Sequence, residues 1–394
     1  MTTRDAFRFD EAPMASDRTT GWRYVRAAGP VFEGPDGVWY LTSAEAARFA
    51  QRHPDVFSSA RAFDSLGSPV PLIPIAVDPP DHVRFRRVLD PLFAPRVVNV
   101  MEDSLRAQAH DLIAAFADRG ECDVVDDLAR LYPTQVFLTM FGMPLEDRDQ
   151  FIYWAETIIE NSNRDPTADL APEVIECAGA LFGYLQRYVD EKRTNPGDDV
   201  LSQVLALEGD AAWSNEEVLG LCFLLVLAGL DTVTAMIGFI LYHLARQPEL
   251  RRRVVDDPDM VQPVIEEILR LEQPAPIQPR VTTRDVEVCG VTIPAGSRIA
   301  VCVGAANRDP EVFPNPDLID PSQADTGHVA FGGGVHRCLG SHLARREMRI
   351  VVEEFHRQIP EYSIADGAQP EIVFPSGTFH LRSLPLVFPV GDRS

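Results

Sequence analysis

Residues 331–340 read Phe331-Gly332-Gly333-Gly334-Val335-His336-Arg337-Cys338-Leu339-Gly340, and they run straight into a helical pattern, SHLARREMRIVVEEF. A glycine-rich loop opening a helix first suggests a phosphate cradle. Both nucleotide fingerprints fail: Arg337 stands where GxGxxG needs its third glycine, and no GK[ST] follows. What remains is a cysteine at the mouth of a helix, with glycines that let a large flat group approach the backbone. Amides at a helix start and in the loop favour a thiolate. On these residues alone two readings stand, a buried structural thiol and a ligand.

The loop sits in a chain of 394 residues, 45% apolar and 24% charged, which are values for a folded protein and exclude a disordered one. Asp and Glu number 59 against 36 Lys and Arg, a net charge of −23 that argues against nucleic-acid binding and against charge-held attachment to anionic lipid. Six cysteines lie far apart with no CxxC pair, so a disulfide scaffold is excluded and a reduced, cytoplasmic setting is expected. The N-terminal MTTRDAFRFDEAP has no apolar core, so no signal peptide is expected, and residues 1–15 are expected to be a disordered terminus. The nine histidines show no zinc spacing.

Val218 to Leu241 is almost wholly apolar, interrupted by Asp231 and Thr232. This is nearly a transmembrane signature. A charge at the centre would make insertion costly, by roughly 2.5–3.5 kcal/mol, and no basic cluster flanks the run. A helix buried through a soluble domain, over Asn215 to Gln247, is the expectation, with no transmembrane anchor.

Helical periodicity dominates elsewhere: Ser43–Arg52, Asp81–Leu92, Val97–Asp118, Leu128–Phe141, Glu146–Asn161, Ala171–Lys192, Pro248–Val255, Pro258–Leu271 and Gly340–Gln358. Strand alternation is confined to Val38–Leu41, Val281–Val288, Val291–Ile293, Arg298–Val303 and Leu384–Val390. The class expected is mainly α with a minor β region. Length alone suggests two or three domains, but no low-complexity linker or repeat divides the chain, so a single domain over 1–394 is expected.

Four motifs in register resemble the cytochrome P-450 family. Phe331, Gly334, Cys338 and Gly340 match the haem-binding FxxGxxxCxG. Ala228-Gly229-Leu230-Asp231-Thr232 resembles the oxygen-activating signature of the long central helix. Glu267-Ile268-Leu269-Arg270 resembles the ExxR pair, and Asp78-Pro79-Pro80-Asp81-His82-Val83-Arg84-Phe85-Arg86 the propionate-binding helix of bacterial members. The resemblance covers nearly the whole chain and implies haem b held between the central helix and the cysteine loop.

It further implies Cys338 as the thiolate ligand of iron, with Phe331, Gly332 and Gly340 around it, an arrangement for which this family is the standing example. Ala228 and Gly229 would leave room for dioxygen. Asp231 and Thr232 would deliver protons, against the plainer reading in which Thr232 only bonds back one turn and Asp231 caps a salt bridge. His82, Arg86, Arg280 and His336 would hold the haem propionates. Glu267 and Arg270 would be a structural pair locking the loop before the cysteine. Here the chain departs from the pattern, with Gln323 where relatives usually carry an arginine, and Arg308 is a candidate substitute.

Substrate contacts would come from Phe63, Leu66, Leu72, Ile73, Leu224, Ile277, Thr378 and Phe379, mostly apolar, so an apolar small molecule is expected. The chain shows no second cysteine cluster or dinucleotide fingerprint, so electrons from NAD(P)H would arrive through a separate ferredoxin-type partner. Arg337, Arg345, Arg346, Arg349, Arg84 and Arg87 are a candidate basic dock for it, with a plain solvated helix face as the alternative. A monomeric monooxygenase is the leading reading. A peroxide-driven peroxygenase and a non-catalytic haem sensor are the alternatives, and the Asp231–Thr232 pair argues against both.

Overall fold

The computed structural model describes residues 7–63, 68, 70–160, 170–375 and 377–390. Its longest helix, Asn215–Arg246, starts at a capping box: the Glu217 N–H donates to the Ser214 hydroxyl at 3.2 Å, and the Ser214 N–H donates to the Glu217 carboxylate at 2.7 Å. His243 and Arg246 face the negative end of its dipole in the last turn. By length and composition the helix could cross a membrane, yet here most of it is covered by protein. Helices Leu131–Phe141, Arg148–Glu160, Pro172–Thr194, Val261–Leu271 and Ser341–Gln358 pack around it. Burying each of its Leu, Ile and Phe side chains is worth about 1.5–3 kcal/mol, so its all-round apolar surface is the centre of the core. The connection through Pro71 lies directly on this helix, because a Cβ at Gly220 would stand 2.0 Å from the Pro71 carbonyl oxygen.

Several expected elements divide where backbone geometry intervenes. Val97–Asp118 is two helices, Pro95–Val100 and Glu102–Ala114, parted at Met101. Val281–Val288 splits into Ile277–Thr282, which joins a five-stranded sheet, and Val286–Val288, which pairs only with Val291–Ile293. The sheet runs in the order Val31–Glu33, Val38–Leu41, Arg298–Cys302, Ile277–Thr282, Phe57–Ser58. Val38–Leu41 pairs parallel to Arg298–Cys302, and the other neighbours pair antiparallel. Ile299 and Val301 turn into a second apolar cluster with Ala47, Ala50 and Phe57, which seats helix Ala44–Arg52 on the sheet.

The expectation of a disordered terminus is overturned from Phe7 onward. Phe7, Phe9 and Met14 are 2%, 7% and 0% exposed. Phe7 stacks on Tyr24 at 5.5 Å and meets Phe32 and Tyr40 edge-on, each at 4.9 Å. Tyr24 belongs to helix Arg18–Ala27, capped by Asp17, which the periodicity reading did not identify. A segment too short for periodicity is held by aromatic contacts with strands far along the chain.

Candidate functional site

The glycines of the cysteine loop are required by its backbone. Gly332 and Gly334 have φ of +69° and +65°, a region that side-chain-bearing residues seldom adopt. A Cβ at Gly334 would lie 2.0 Å from the Gln51 carbonyl oxygen, so the loop sits against the last turn of helix Ala44–Arg52. The Cys338 N–H donates to the Phe331 oxygen at 2.8 Å and closes the loop. Helix Ser341–Gln358 follows at once.

Cys122, Cys177, Cys222 and Cys302 are buried, as structural thiols are, whereas Cys289, in the turn between strands Val286–Val288 and Val291–Ile293, and Cys338, in the glycine loop, are exposed. Protein crowds closely enough around it that burial pushes its thiol up, while the Gly340 amide and Arg86, Arg345 and Arg337 pull it down. Phe331 lies 4.3 Å beneath the Arg345 guanidinium. Arg345 in turn holds Glu266 through two hydrogen bonds of 2.7 and 2.8 Å, and His328 meets the same carboxylate at 2.8 Å. Glu266 was not singled out in the sequence, where Glu267 carried the motif.

Next to this loop the structure gathers His82, His336, Arg86 and Arg280, with Asp78 and Asp90 the acids that act on them. The His82 and His336 rings lie 4.3 Å apart, and Nε2 of each is buried without a hydrogen-bond partner among the described residues. Burial, helped by Arg86, lowers His82 to about 4, and burial with Arg280, His82 and Arg86 lowers His336 to about 3. Burial brings Arg280 down to about 10; its guanidinium donates to the Pro279 oxygen at 2.6 Å and forms no ion pair among the described residues. Buried donors are normally satisfied, so this set fits a ligand carrying carboxylates, as a haem with two propionates does. Arg86 is placed differently from the expectation: it pairs with Asp90 at 2.6 Å and donates to the Arg337 carbonyl at 2.8 Å, bracing the cysteine loop.

Midway along the central helix, Ala228 is exposed and a Cβ at Gly229 would meet nothing within 4 Å. The Thr232 hydroxyl donates to the Ala228 oxygen at 2.8 Å, the plainer of its two expected roles. Asp231 is 8% exposed and accepts a hydrogen bond from the Thr378 hydroxyl. Burial raises it, against His380 and Thr378, which lower it. His380 Nε2 lies 3.3 Å from Glu160, and Glu156 pairs with Arg130 at 2.7 Å. These neighbours were missed, since nothing in the local sequence ties residue 380 to residue 231.

Other expected residues take definite places. Thr378, expected in a substrate pocket, serves Asp231 instead. Phe379, expected there too, is 3% exposed in the core, stacked on Trp22 at 6.2 Å. Leu72, Ile73 and Leu224 are buried in the core, Phe63 and Ile277 are half-buried against it, and Leu66 lies outside the described residues. The Glu267–Arg270 pair is fully buried. Arg270 donates to Glu267 at 2.8 and 2.9 Å, and to the carbonyls of Asn307, Pro316 and Leu318 at 2.9, 2.8 and 2.8 Å. Arg308 does not substitute for the usual arginine; it donates to the Leu271 carbonyl at 3.0 Å and pairs with Asp317. Gln323 holds the same segment by accepting from the Asn315 N–H at 3.0 Å.

Of the arginines expected to dock a partner, Arg84, Arg345, Arg346 and Arg349 are committed to Glu217, Glu266, Glu102 and Glu353. Arg87 and Arg337 form no ion pair among the described residues. A surface recess of about 160 Å³ adjoins this face, lined in part by Asn99, Gln262, His342 and Arg349.

The family model described as Cytochrome P450 matches residues 30–358. The vitamin D(3) 25-hydroxylase of Pseudonocardia autotrophica is 34% identical over 94% of this chain and 93% of its own length. The erythromycin C-12 hydroxylase of Saccharopolyspora erythraea is 34% identical over 88% of each chain. Among solved structures, CYP109E1 from Bacillus megaterium in complex with testosterone superposes with a TM-score of 0.87 at 28% identity, covering 95% of this chain and 98% of that one. With an open cysteine on a glycine loop and a buried cluster of donors beside it, the chain belongs to the cytochrome P450 family of haem-thiolate monooxygenases.

Proposed function

We propose that this protein inserts one atom of dioxygen into an apolar organic substrate in the cytoplasm, using electrons that pass from NAD(P)H through a separate ferredoxin-type partner. The observation that carries the reading is an open Cys338 beside His82 and His336, whose Nε2 atoms have no hydrogen-bond partner among the described residues, and Arg280, which forms no ion pair there. Haem, when bound, supplies an iron that binds and activates dioxygen, with its thiolate ligand favouring O–O cleavage. Cys338 would be that thiolate, and the Gly340 amide and nearby arginines favour its charged form. Phe331, capped by Arg345, shields the sulfur side from water. Arg280, His82 and His336 would clamp the two carboxylates and so orient the group. Burial raises Asp231 above an ordinary carboxyl, which suits a group that takes up and gives up a proton. Thr232, donating to Ala228, keeps its oxygen lone pairs free to hold a water.

An apolar substrate is supported by the half-buried Phe63 and Ile277 and by relatives named for vitamin D(3) and erythromycin and one holding testosterone. Arg87 and Arg337 supply charge that an acidic partner would meet. The test is turnover under ¹⁸O₂ with ferredoxin, its reductase and NAD(P)H. Product carrying one ¹⁸O supports the reading. Product formed only with added peroxide would replace it by peroxygenase chemistry.

A further inference from the structure

Asp231 must regain a proton each time it gives one up, and in the reading above the central helix gives it no route to water. The residue is 8% exposed, and the side chains that act on it stand on other elements. The groups that face it come from three other places. Thr378 and His380 project from the C-terminal loop, Glu160 from the end of helix Arg148–Glu160, and Arg130 from the segment entering helix Leu131–Phe141. Glu156 and Asp126 stand behind Arg130 and bind it at 2.7 and 2.6 Å.

That arrangement has a consequence for the acid. A free arginine beside a buried aspartate would pin it as a carboxylate. Here Arg130 is shared with Asp126 and with Glu156, which burial raises to about 7, and the hydrogen bond to Asp231 comes from a neutral hydroxyl. Burial therefore outweighs these neighbours and shifts Asp231 upward.

After burial, which raises Asp231, His380 is the neighbour with the largest influence on it, in the lowering direction. Its side chain is 8% exposed, with Nε2 3.3 Å from the Glu160 carboxylate, whose own side chain is 31% exposed. Its other nitrogen, Nδ1, is buried with no hydrogen-bond partner among the described residues. A buried ring nitrogen left in this way calls for a bridging water or a polar neighbour. An imidazole with one nitrogen on a solvent-reaching acid and the other unclaimed can take a proton at one side and release it at the other.

We propose that Glu160 and His380 form the path by which Asp231 is reprotonated from solvent, with Thr378 as the positioning residue that holds the Asp231 carboxyl on that path. The proton count closes. Asp231 releases one proton toward Thr232 and becomes a carboxylate. It recovers one, through a bridging water, from Nδ1–H of His380 as Nε2 takes a proton from Glu160 or a water on it. The ring is then left with its proton on Nε2 and returns to the Nδ1–H form by exchange with water, and Glu160 takes a proton from bulk water. This inference rests on the proposed function for its purpose and on the geometry for its route.

The test reads proton access without turnover. In haem-loaded protein, infrared spectra identify the protonated Asp231 carboxyl as the band lost in Asp231→Asn. Transfer into D₂O then gives its exchange rate. His380→Gln, which keeps the size and a polar contact to Glu160, and Glu160→Gln, on a partly exposed side chain, are each expected to slow exchange about tenfold or more. Thr378→Val is expected to shift the pH midpoint of the same band upward, because it removes a hydrogen bond to the carboxylate, while Thr378→Ser restores it. Exchange within about twofold of the parent in either His380→Gln or Glu160→Gln overturns the path, as does the absence of an Asp231 band at neutral pH. The carbon monoxide spectrum of each variant is recorded alongside. Loss of the thiolate signature in the parent would sink the proposed function, whereas unchanged exchange beside an intact signature sinks only the path.

Discussion

Replacing Glu266 with Gln should weaken the fold at neutral pH and should stop doing so in acid. Burial alone would raise this carboxyl, but two hydrogen bonds from Arg345 and one contact from His328 outweigh it and hold Glu266 at about 2, against an ordinary 4.5. That difference, at about 1.4 kcal/mol per pH unit, gives about 3 kcal/mol as a ceiling, since Gln keeps part of the hydrogen bonding. The sign follows from the direction. A depressed folded-state carboxyl stabilises fully above its unfolded value and loses that contribution as pH falls through the folded one. The deficit of Glu266→Gln should therefore be full at pH 7 and shrink between about pH 4.5 and 2. Urea unfolding of parent and variant across a pH series, followed by far-ultraviolet circular dichroism, measures it. Because Arg345 covers Phe331, the same variant should also loosen the cysteine loop and bind haem less tightly. Equal stability at pH 7, or a deficit that does not change down to about pH 3, would refute the reasoning.

Arg280→Leu should leave the fold intact and speed haem loss to apomyoglobin about tenfold or more, because a charge-assisted hydrogen bond to a carboxylate is worth about 1.5–3 kcal/mol; an unchanged loss rate would remove Arg280 from the propionate set. Gly334→Ala should destabilise by about 1–3 kcal/mol, because it places a Cβ against the Gln51 backbone at positive φ, while Gly340→Ala, whose Cβ meets nothing in the protein, should stay within about 0.5 kcal/mol. Thermal melts of both variants in the haem-free state compare them directly. Reversing charge at Arg87 and Arg337 should slow reduction by ferredoxin at low salt, with the effect fading as salt rises, in stopped-flow traces. Reversal at Arg345 should instead show itself as lost stability, since that arginine is committed to Glu266.

The parts legible in the sequence were those whose signal is local. The apolar run from Val218 to Leu241 specified the central helix, and Asp81–Leu92 was read to its observed ends. The cysteine loop was legible because its glycines answer a backbone need written in the loop itself. What escaped depends on partners distant in the chain. Phe7 looks like any aromatic in a polar terminus until strand Val38–Leu41 supplies Tyr40. Spacing on helix Ser341–Gln358 makes its arginines look like a free basic face, whereas Arg345 and Arg346 are claimed by Glu266 and Glu102 on other helices. Arg270 spends most of its donors on backbone carbonyls of residues 307–318, which no side-chain pattern announces. The Gln323 substitution is readable only once its bond to the Asn315 N–H is seen.

The central claim is that Cys338 is the thiolate that binds iron in this protein. Reduced, fully haem-loaded protein exposed to carbon monoxide tests it most directly. A strongly red-shifted Soret band, lost in Cys338→His while haem stays bound, is the result expected. A band at the position of a histidine- or thiol-ligated haem in the parent would contradict it.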